Sequence, residues 1–300
     1  MKPADDDDAR ATLPEPDAAG TGLTLVATPI GNLGDLSPRA RDTLAGADAV
    51  LCEDSRVTLR LLSANGIARP LWKLHEHNED AMIARALAAL REGKRLALVS
   101  DAGTPLVSDP GYRLVRAAIA AELPVTAVPG PAASVMALTL SGLPPLPFLM
   151  LGFPPARQAA RRAAFGTLRA AEAAGLSATL IWHEAPHRLA ETLADLAEMF
   201  GPRPAAVARE LTKRFEEVRR GALDTLAAHY ATAEARGEIT LVVGPPDAAV
   251  ADDLDARLRD ALAAHSVRDA AALVAAASGR PRKEVYARAL ELARGAEARG

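Results

Sequence analysis

From Leu23 onward, short apolar runs alternate with amphipathic stretches. Residues 23–30 (LTLVATPI) read as a strand, and 37–47 as a helix with Ser37 as N-cap and Pro38 at its first position. Residues 48–54 (DAVLCED) predict a second strand, and 55–66 a helix closed by Asn65-Gly66. A helix over 78–93 ends at Gly93, and strands follow at 95–100 (RLALVS) and 123–130 (LPVTAVPG). This strand–helix rhythm predicts an α/β fold with a mostly parallel sheet covered by helices.

Five prolines interrupt the rhythm within residues 141–157. A second alternating unit follows: helix 157–174, strand 177–182 (SATLIW), helix 188–200, strand 204–210 (PAAVARE), helix 222–236 and strand 238–244 (EITLVVG). The last fifty residues contain no strand-like run. The expected organisation is an acidic disordered tail over 1–22, α/β domains over 23–143 and 144–246, and a small helical domain over 250–300.

Charge and composition narrow the class. The formal net charge is −3, and the first 22 residues hold six acidic against two basic side chains, so the body is close to neutral. A neutral body argues against non-specific binding to naked nucleic acid, which needs a strong basic field. The single cysteine, Cys52, permits no internal disulfide and fits a reducing cytoplasm. The N-terminus lacks the apolar stretch of a signal peptide, and no apolar run approaches the ~20 residues of a membrane helix. A cytoplasmic protein with no membrane partner is the expectation.

The segment His183-Glu184-Ala185-Pro186-His187 has the letters of a zinc-peptidase motif. That chemistry needs both histidines on one helical face. Pro186 sits just before the second histidine, and the preceding ATLIW is strand-like, so the motif straddles a strand end and a helix start. No metal is expected there. A polar turn and a ligand loop both remain open, and open α/β sheets bind ligands beyond the carboxyl ends of their strands. Four more strand ends run into loops of the same kind: TPIGNLGD, DAGTPLVSDPG, PGPAAS and RELTK. Together they predict one ligand-binding rim. Neither a dinucleotide fingerprint nor a P-loop occurs.

The segments LTLVATPIGNLGDLSPRA, CEDSR, HEHNE, ALVSDAGTPLVSDPGYRLV, VPGPAAS, HEAPHRL, ARELTK and GEITLVV occur in uninterrupted order between Leu23 and Val243. Together they resemble the ribosomal-RNA branch of the tetrapyrrole methylase superfamily. The acidic tail lies outside the resemblance. Gly103-Thr104-Pro105 stands where the corrinoid enzymes carry Gly-Asp-Pro, which favours the RNA branch over a tetrapyrrole or corrinoid C-methyltransferase. A non-enzymatic RNA-binding protein with a degenerate cleft is a third reading, disfavoured by the intact loops. The resemblance implies a two-domain fold, a homodimer, and 2′-O-methylation of a cytidine in 16S ribosomal RNA of the small subunit, with S-adenosyl-L-methionine as cofactor.

The same resemblance places the cofactor against Asp101, Ala102, Gly103, Thr104 and Val107, against Ser134 and Val135, and against Glu238, Ile239 and Thr240. Asp101 and Ser134 also read as helix caps. Methyl transfer needs alignment and loss of a hydroxyl proton. The catalytic candidates are Glu184, His187, Glu210 and Lys213. Lys213 is one of five lysines among 35 basic residues, so it reads as an amine whose pKa can be lowered, or as drift. Asn32, Asp54, Arg56 and His77 are candidate substrate contacts, with capping as the alternative for Asp54 and Arg56. His75 and His77 also permit a metal site, although a loop before the helix at Asn78 is the plainer reading. In the C-terminal segment, Arg280, Arg282, Lys283 and Arg288 resemble the phosphate-facing side of a helix-turn-helix unit; a packing or dimer-contact role is the alternative.

Overall fold

The structure, a computed structural model, describes residues 21–75, 78–107, 109–246, 254–278 and 281–297. The expected disordered tail therefore lies outside the described residues, apart from Thr21 and Gly22. The chain divides into two compact units, residues 1–133 and 134–300.

In the first unit, β1 (Gly22–Val26), β2 (Ala49–Cys52), β3 (Leu71–Lys73), β4 (Arg95–Leu98) and β5 (Val125–Val128) form a sheet in the order β3-β2-β4-β1-β5. Every pairing is parallel. Helices α1 (Pro38–Gly46), α2 (Ser55–Ala64), α3 (Glu79–Arg91) and α4 (Tyr112–Ala120) connect the strands. Alternate strand residues feed two cores. Leu23, Leu51, Leu96 and Leu98 pack with Ala86, Leu90 and Leu114 from α3 and α4. Val26, Val50, Cys52 and Ala97 pack with Ala40, Leu44 and Leu62 from α1 and α2. Burial on both faces is why these strands read as continuous apolar runs. The expected cap of α1 is present: the Ser37 hydroxyl accepts from the Ala40 N–H at 3.1 Å, with Pro38 opening the helix. β1 ends at Val26 instead of Ile30, because Thr28 leaves the sheet to pair with Gly103.

The second unit holds α5 (Ala133–Ser141), β6 (Phe148–Met150), α6 (Gln158–Ala173), β7 (Thr179–Glu184), α7 (Leu189–Phe200), β8 (Pro204–Arg209), β9 (Glu217–Ala222), α8 (Leu223–Tyr230) and β10 (Ile239–Val243). The division between units falls at the head of α5, earlier than the proline-rich stretch suggests. The Arg220 guanidinium ties α5 to β9 by donating from Nε to the Leu140 carbonyl at 3.0 Å. The strand order is β6-β7-β10-β8-β9. β6 and β7 are parallel, while β7–β10, β10–β8 and β8–β9 are antiparallel. The mostly parallel pairing that the rhythm suggests does not extend to this sheet, because the link from β8 to β9 is too short for a crossover helix. One face of the sheet packs Leu180, Trp182, Val207 and Leu241 against Phe165, Leu193, Leu196 and Phe200.

The sheet edges are β3, β5, β6 and β9. Pro70, Pro124 and Pro147 immediately precede the first three, and β9 carries Glu217, Arg219 and Arg220.

The C-terminal helices α9 (Leu254–Ala264), α10 (Val267–Ser278) and α11 (Arg282–Glu297) share a small core of Leu258, Ala271, Val274, Ala275, Val285 and Ala289. Ser266 caps α10, accepting from the Asp269 N–H at 3.2 Å and donating to its carboxylate at 2.7 Å. No helix among the described residues is long and apolar enough to cross a membrane.

A buried ion pair fastens α6 to α7. Arg161 Nε donates to Asp195 Oδ2 at 2.7 Å, and both side chains are sealed from solvent. Arg162 Nε donates to the other oxygen at 2.7 Å. Removing one partner strands a buried charge, which costs about 3–5 kcal/mol. Asp195→Ala is therefore expected to lower the urea midpoint sharply. An Asp195→Ala midpoint matching that of the original chain would show that the pair is not needed.

Candidate active site

In the first unit all strands run the same way, so the loops after β1, β2, β4 and β5 emerge on one rim. Three of them interlock. Thr28 and Gly103 exchange backbone hydrogen bonds at 2.9 and 3.0 Å. The Ser100 hydroxyl donates to the Ala102 and Gly103 carbonyls, and the Thr104 hydroxyl to the Pro131 carbonyl at 3.1 Å. Gly103 sits at φ +82°, where a Cβ would meet Ile30 Cγ2 at 3.3 Å. A Cβ on Gly130 would reach Ala27 Cβ at 2.9 Å. The loops thus close on one another through glycine, leaving Ala102, Thr104 and Val107 outward.

This rim is rich in carboxylates. Asp101 Oδ1 accepts from the Asp54 N–H at 3.1 Å. Asp54 caps α2 through the Arg56 N–H at 2.8 Å, and its carboxylate holds the exposed Arg56 guanidinium, so this pair is both cap and ion pair. The hydrogen bonds from Arg56 hold the Asp54 pKa well below the usual carboxylate range. Asn32 caps a short 3-10 turn over Leu33–Asp35, accepting from the Gly34 N–H at 3.0 Å. Asp109, half-buried, is pushed up to about 6 by burial and by the charges of Glu53 and Asp101.

The rim of the second unit is assembled by strand direction. β6, β7 and β8 end there, and β10, antiparallel to both β7 and β8, begins there. His183 faces Thr240 across the β7–β10 pair, with its Nδ1 3.2 Å from the Thr240 hydroxyl. The exposed Phe153 ring, beyond β6, lies 5.7 Å from the imidazole, tilted by 50°. Burial lowers the His183 pKa, against the pull of Glu238. Pro186–Arg188 forms a 3-10 turn, so the two histidines of the motif share no helical face. Among the described residues no group of three His, Cys, Asp or Glu side chains is arranged to hold a metal ion.

Glu184 turns to the opposite face. It is buried, its Oε1 accepts from the Ala185 N–H at 2.7 Å, and its Oε2 from the Thr192 hydroxyl at 2.5 Å. Arg188 adds an ion pair at 3.3 Å. With its oxygens taken, Glu184 anchors the start of α7; this geometry does not suit the proton transfer expected of it. His187 is exposed and lines an open groove of about 490 Å³ with Leu189, Tyr230, Arg236 and Gly237.

Glu210, Lys213 and Glu238 form a closed group. Lys213 Nζ lies 2.9 Å from Glu210 Oε1 and 3.3 Å from Glu238 Oε2. The Glu210 N–H donates to the Glu238 carbonyl at 2.9 Å, and the Glu238 N–H donates back to Glu210 Oε1 at 3.1 Å. Glu210 and Thr212 both adopt left-handed backbone, at φ +50° and +66°. Such strain persists where surrounding contacts impose it, often at functional loops. The expected lowered amine is corrected here. Burial works to lower the Lys213 pKa, but the hydrogen bonds and charges of Glu210 and Glu238 outweigh it and hold it raised. Lys213 is a fixed cation, and its hydrogen bond lowers the pKa of Glu210.

Ser134 lies buried in the first turn of α5, with Val135 exposed beside it. Ile239 is buried in the apolar core, so only its backbone faces the rim. Arg282 and Lys283 are exposed at the head of α11. His77 and Arg280 lie outside the described residues. Sequence reasoning missed Asp109, Phe153 and the separate standing of His183. The period-two alternation of TLIWHE does place His183 on the face opposite Trp182.

A family model for tetrapyrrole (corrin/porphyrin) methylases matches residues 22–227, and one described as the RsmI C-terminal HTH domain matches 248–293. A ribosomal RNA small subunit methyltransferase I of Mesorhizobium japonicum is 47% identical over 90% of this chain and 92% of its own. One of the same name from Erythrobacter litoralis is 50% identical over 90% of this chain and 95% of its own. The crystal structure of a cobalt precorrin-4 methyltransferase, 17% identical, covers 77% of this chain and 97% of its own with a TM-score of 0.54, a likeness of fold.

A carboxyl group with a raised folded-state pKa holds its proton more tightly when folded, so it costs stability as pH rises from about 4 through 6. Asp109→Asn should therefore stabilise the protein at pH 7.5 by about 1 kcal/mol after allowance for solvent screening, and not at pH 4. Thermal melts across that range check it; an equal gain at both pH values would contradict the assignment.

At Gly237, φ +83°, an added Cβ would stand 2.2 Å from Glu210 Oε1. Gly237→Ala is expected to cost about 1–3 kcal/mol and to release Lys213 from Glu210. Chemical denaturation and the Lys213 side-chain nitrogen resonance report the two effects.

Proposed function

The chain belongs to the tetrapyrrole (corrin/porphyrin) methylase family, and from that premise we propose that it methylates the 2′-oxygen of a cytidine ribose in 16S ribosomal RNA, using S-adenosyl-L-methionine. The observation that carries this reading is near full-length likeness to ribosomal RNA small subunit methyltransferases I, including the C-terminal domain. A corrinoid substrate has only distant likeness of fold in its favour.

The residues present fit such a cofactor. Its ammonium and sulfonium are cationic, and the first rim presents carboxylates at Asp54, Asp101 and Asp109. The glycine-closed loops at Gly103 and Gly130 form a cradle that a Cβ would fill. In this reading Asp101, Ala102, Gly103, Thr104 and Val107, with Ser134, Val135, Glu238, Ile239 and Thr240, are the cofactor contacts, their backbone groups and small side chains taking the amino-acid and adenosine parts. The cofactor supplies an electrophilic methyl group. The chain's own part is to align the ribose oxygen with that methyl and accept its proton, which is mainly orientation with general-base help. Glu184 anchors α7, while the Glu210–Lys213–Glu238 group fixes the loop after β8. Asn32, Asp54 and Arg56 are assigned to RNA contact near the rim, and His77 to RNA contact from the sequence alone.

Residues 250–300 serve as a separate RNA-gripping domain, with Arg282 and Lys283 on phosphates. A homodimer working in the cytoplasm completes the reading. Because so few cations are available, counterion release gives modest affinity for free RNA, and folded shape must supply the rest. The substrate is therefore the assembled small subunit. Ribose-methylation mapping after incubation with purified subunits and with isolated 16S RNA tests this. Transfer to one cytidine, at least about tenfold faster on subunits at matched salt, is expected. No ribose methylation on either would overturn the activity, and equal rates would overturn the assembled substrate.

A further inference from the structure

We propose that His183 is the proton acceptor for the ribose hydroxyl during methyl transfer; this rests on the ribosomal-RNA reading above. Its neighbours divide the ring's two nitrogens. Nδ1 is engaged by the Thr240 hydroxyl at 3.2 Å, a partner delivered by the antiparallel β10 register. Nε2 has no hydrogen-bond partner among the described residues. If Nδ1–H donates to Thr240, Nε2 carries the lone pair, and the ring is held in that orientation by the strand itself.

The surroundings favour a base. Phe153 covers one side of the ring and is itself 54% exposed, so the site is half-dry yet open to a substrate. Burial shifts the imidazole pKa down, which favours the neutral ring, against the pull of Glu238. The elements around the ring are β10 and the loop after β6. Glu238, at the head of β10, is the charged group acting on it, and its own carboxylate is paired with Lys213. Thr240, the partner of Nδ1, is one of the proposed cofactor contacts.

Of the other candidates, His187 lies exposed on the groove with Tyr230 and Arg236, away from the His183–Thr240 pair, and the remaining three are committed to other partners. Glu184 has both oxygens bonded on the far face. Glu210 holds Lys213, and Lys213 is kept as a cation. In the proposed step the 2′-oxygen forms a bond to the methyl carbon, and the methyl–sulfur bond breaks. The electron pair of that bond stays on sulfur, giving the neutral thioether. The hydroxyl proton passes to Nε2, and the resulting imidazolium releases it to water.

The test measures single-turnover methylation of small subunits, donor affinity and the rate–pH profile, with the unaltered chain alongside. His183→Asn keeps a polar head for Thr240 but cannot accept the proton. It is expected to slow transfer by about 100-fold or more, with donor affinity within about threefold. The acid-side fall in rate, centred below the usual histidine range, should vanish. Free imidazole should restore rate to His183→Gly in proportion to its concentration. An Asn variant within about fivefold of the unaltered rate, or one retaining the acid-side fall, would overturn the proposal. The unaltered chain gives a readout independent of any variant's folding: a rate with no acid-side fall also overturns it. If the unaltered chain methylates no ribose, the ribosomal-RNA reading itself fails, a result distinct from failure of the histidine assignment alone.

Discussion

β10 enters the second sheet between β7 and β8 and runs against both. That one placement joins residues far apart in the chain. It brings Thr240 opposite His183, and Glu238 against Glu210 and Lys213. Had β10 joined as a parallel edge strand, its head would lie at the other end of the sheet. The rim would then lose Thr240 and Glu238. Hydrogen bonding along the full length of β10 on both sides makes the arrangement costly to disturb, since each unpaired buried amide or carbonyl carries its own desolvation penalty.

The two rims differ in electrostatic character. In the first unit, carboxylates crowd together and one of them, Asp109, is held near pKa 6. In the second, a cation is set between carboxylates, in the Glu210–Lys213–Glu238 group. The first arrangement suits a positively charged ligand. The second suits rigidity, because a fixed cation between two carboxylates holds a loop whose backbone is otherwise strained at Glu210 and Thr212.

The first sheet was legible from the alternation of apolar runs and helices, down to the Ser37 cap, because local rules govern parallel strands joined by helices. β3 was not legible: three residues after a proline carry too little pattern. The strand-end loops were found from glycine and proline content, and their interlocking explains that content. Side-chain partnership was not legible. The raised pKa of Lys213 rests first on Glu210, three residues away, and then on Glu238, whose approach local spacing cannot reveal. Likewise, Glu184 looked available in the sequence, but Thr192 and Arg188 occupy it. The alternation of TLIWHE already separated it from His183, though what lay on each face required the fold.

The treatment of the sheet edges bears on how the chain behaves in a crowded solution. An open edge strand offers unpaired amides and carbonyls to any other chain with a free edge. Here β3, β5 and β6 are short and each is led by a proline, while β9 bears Glu217, Arg219 and Arg220. A proline offers no amide to an incoming strand, and lines of arginine and glutamate oppose dry contact between copies. Both sheets therefore carry borders that disfavour edge-to-edge pairing between copies. Protection against aggregation is thus written into the sheet borders, apart from the rims that carry the chemistry.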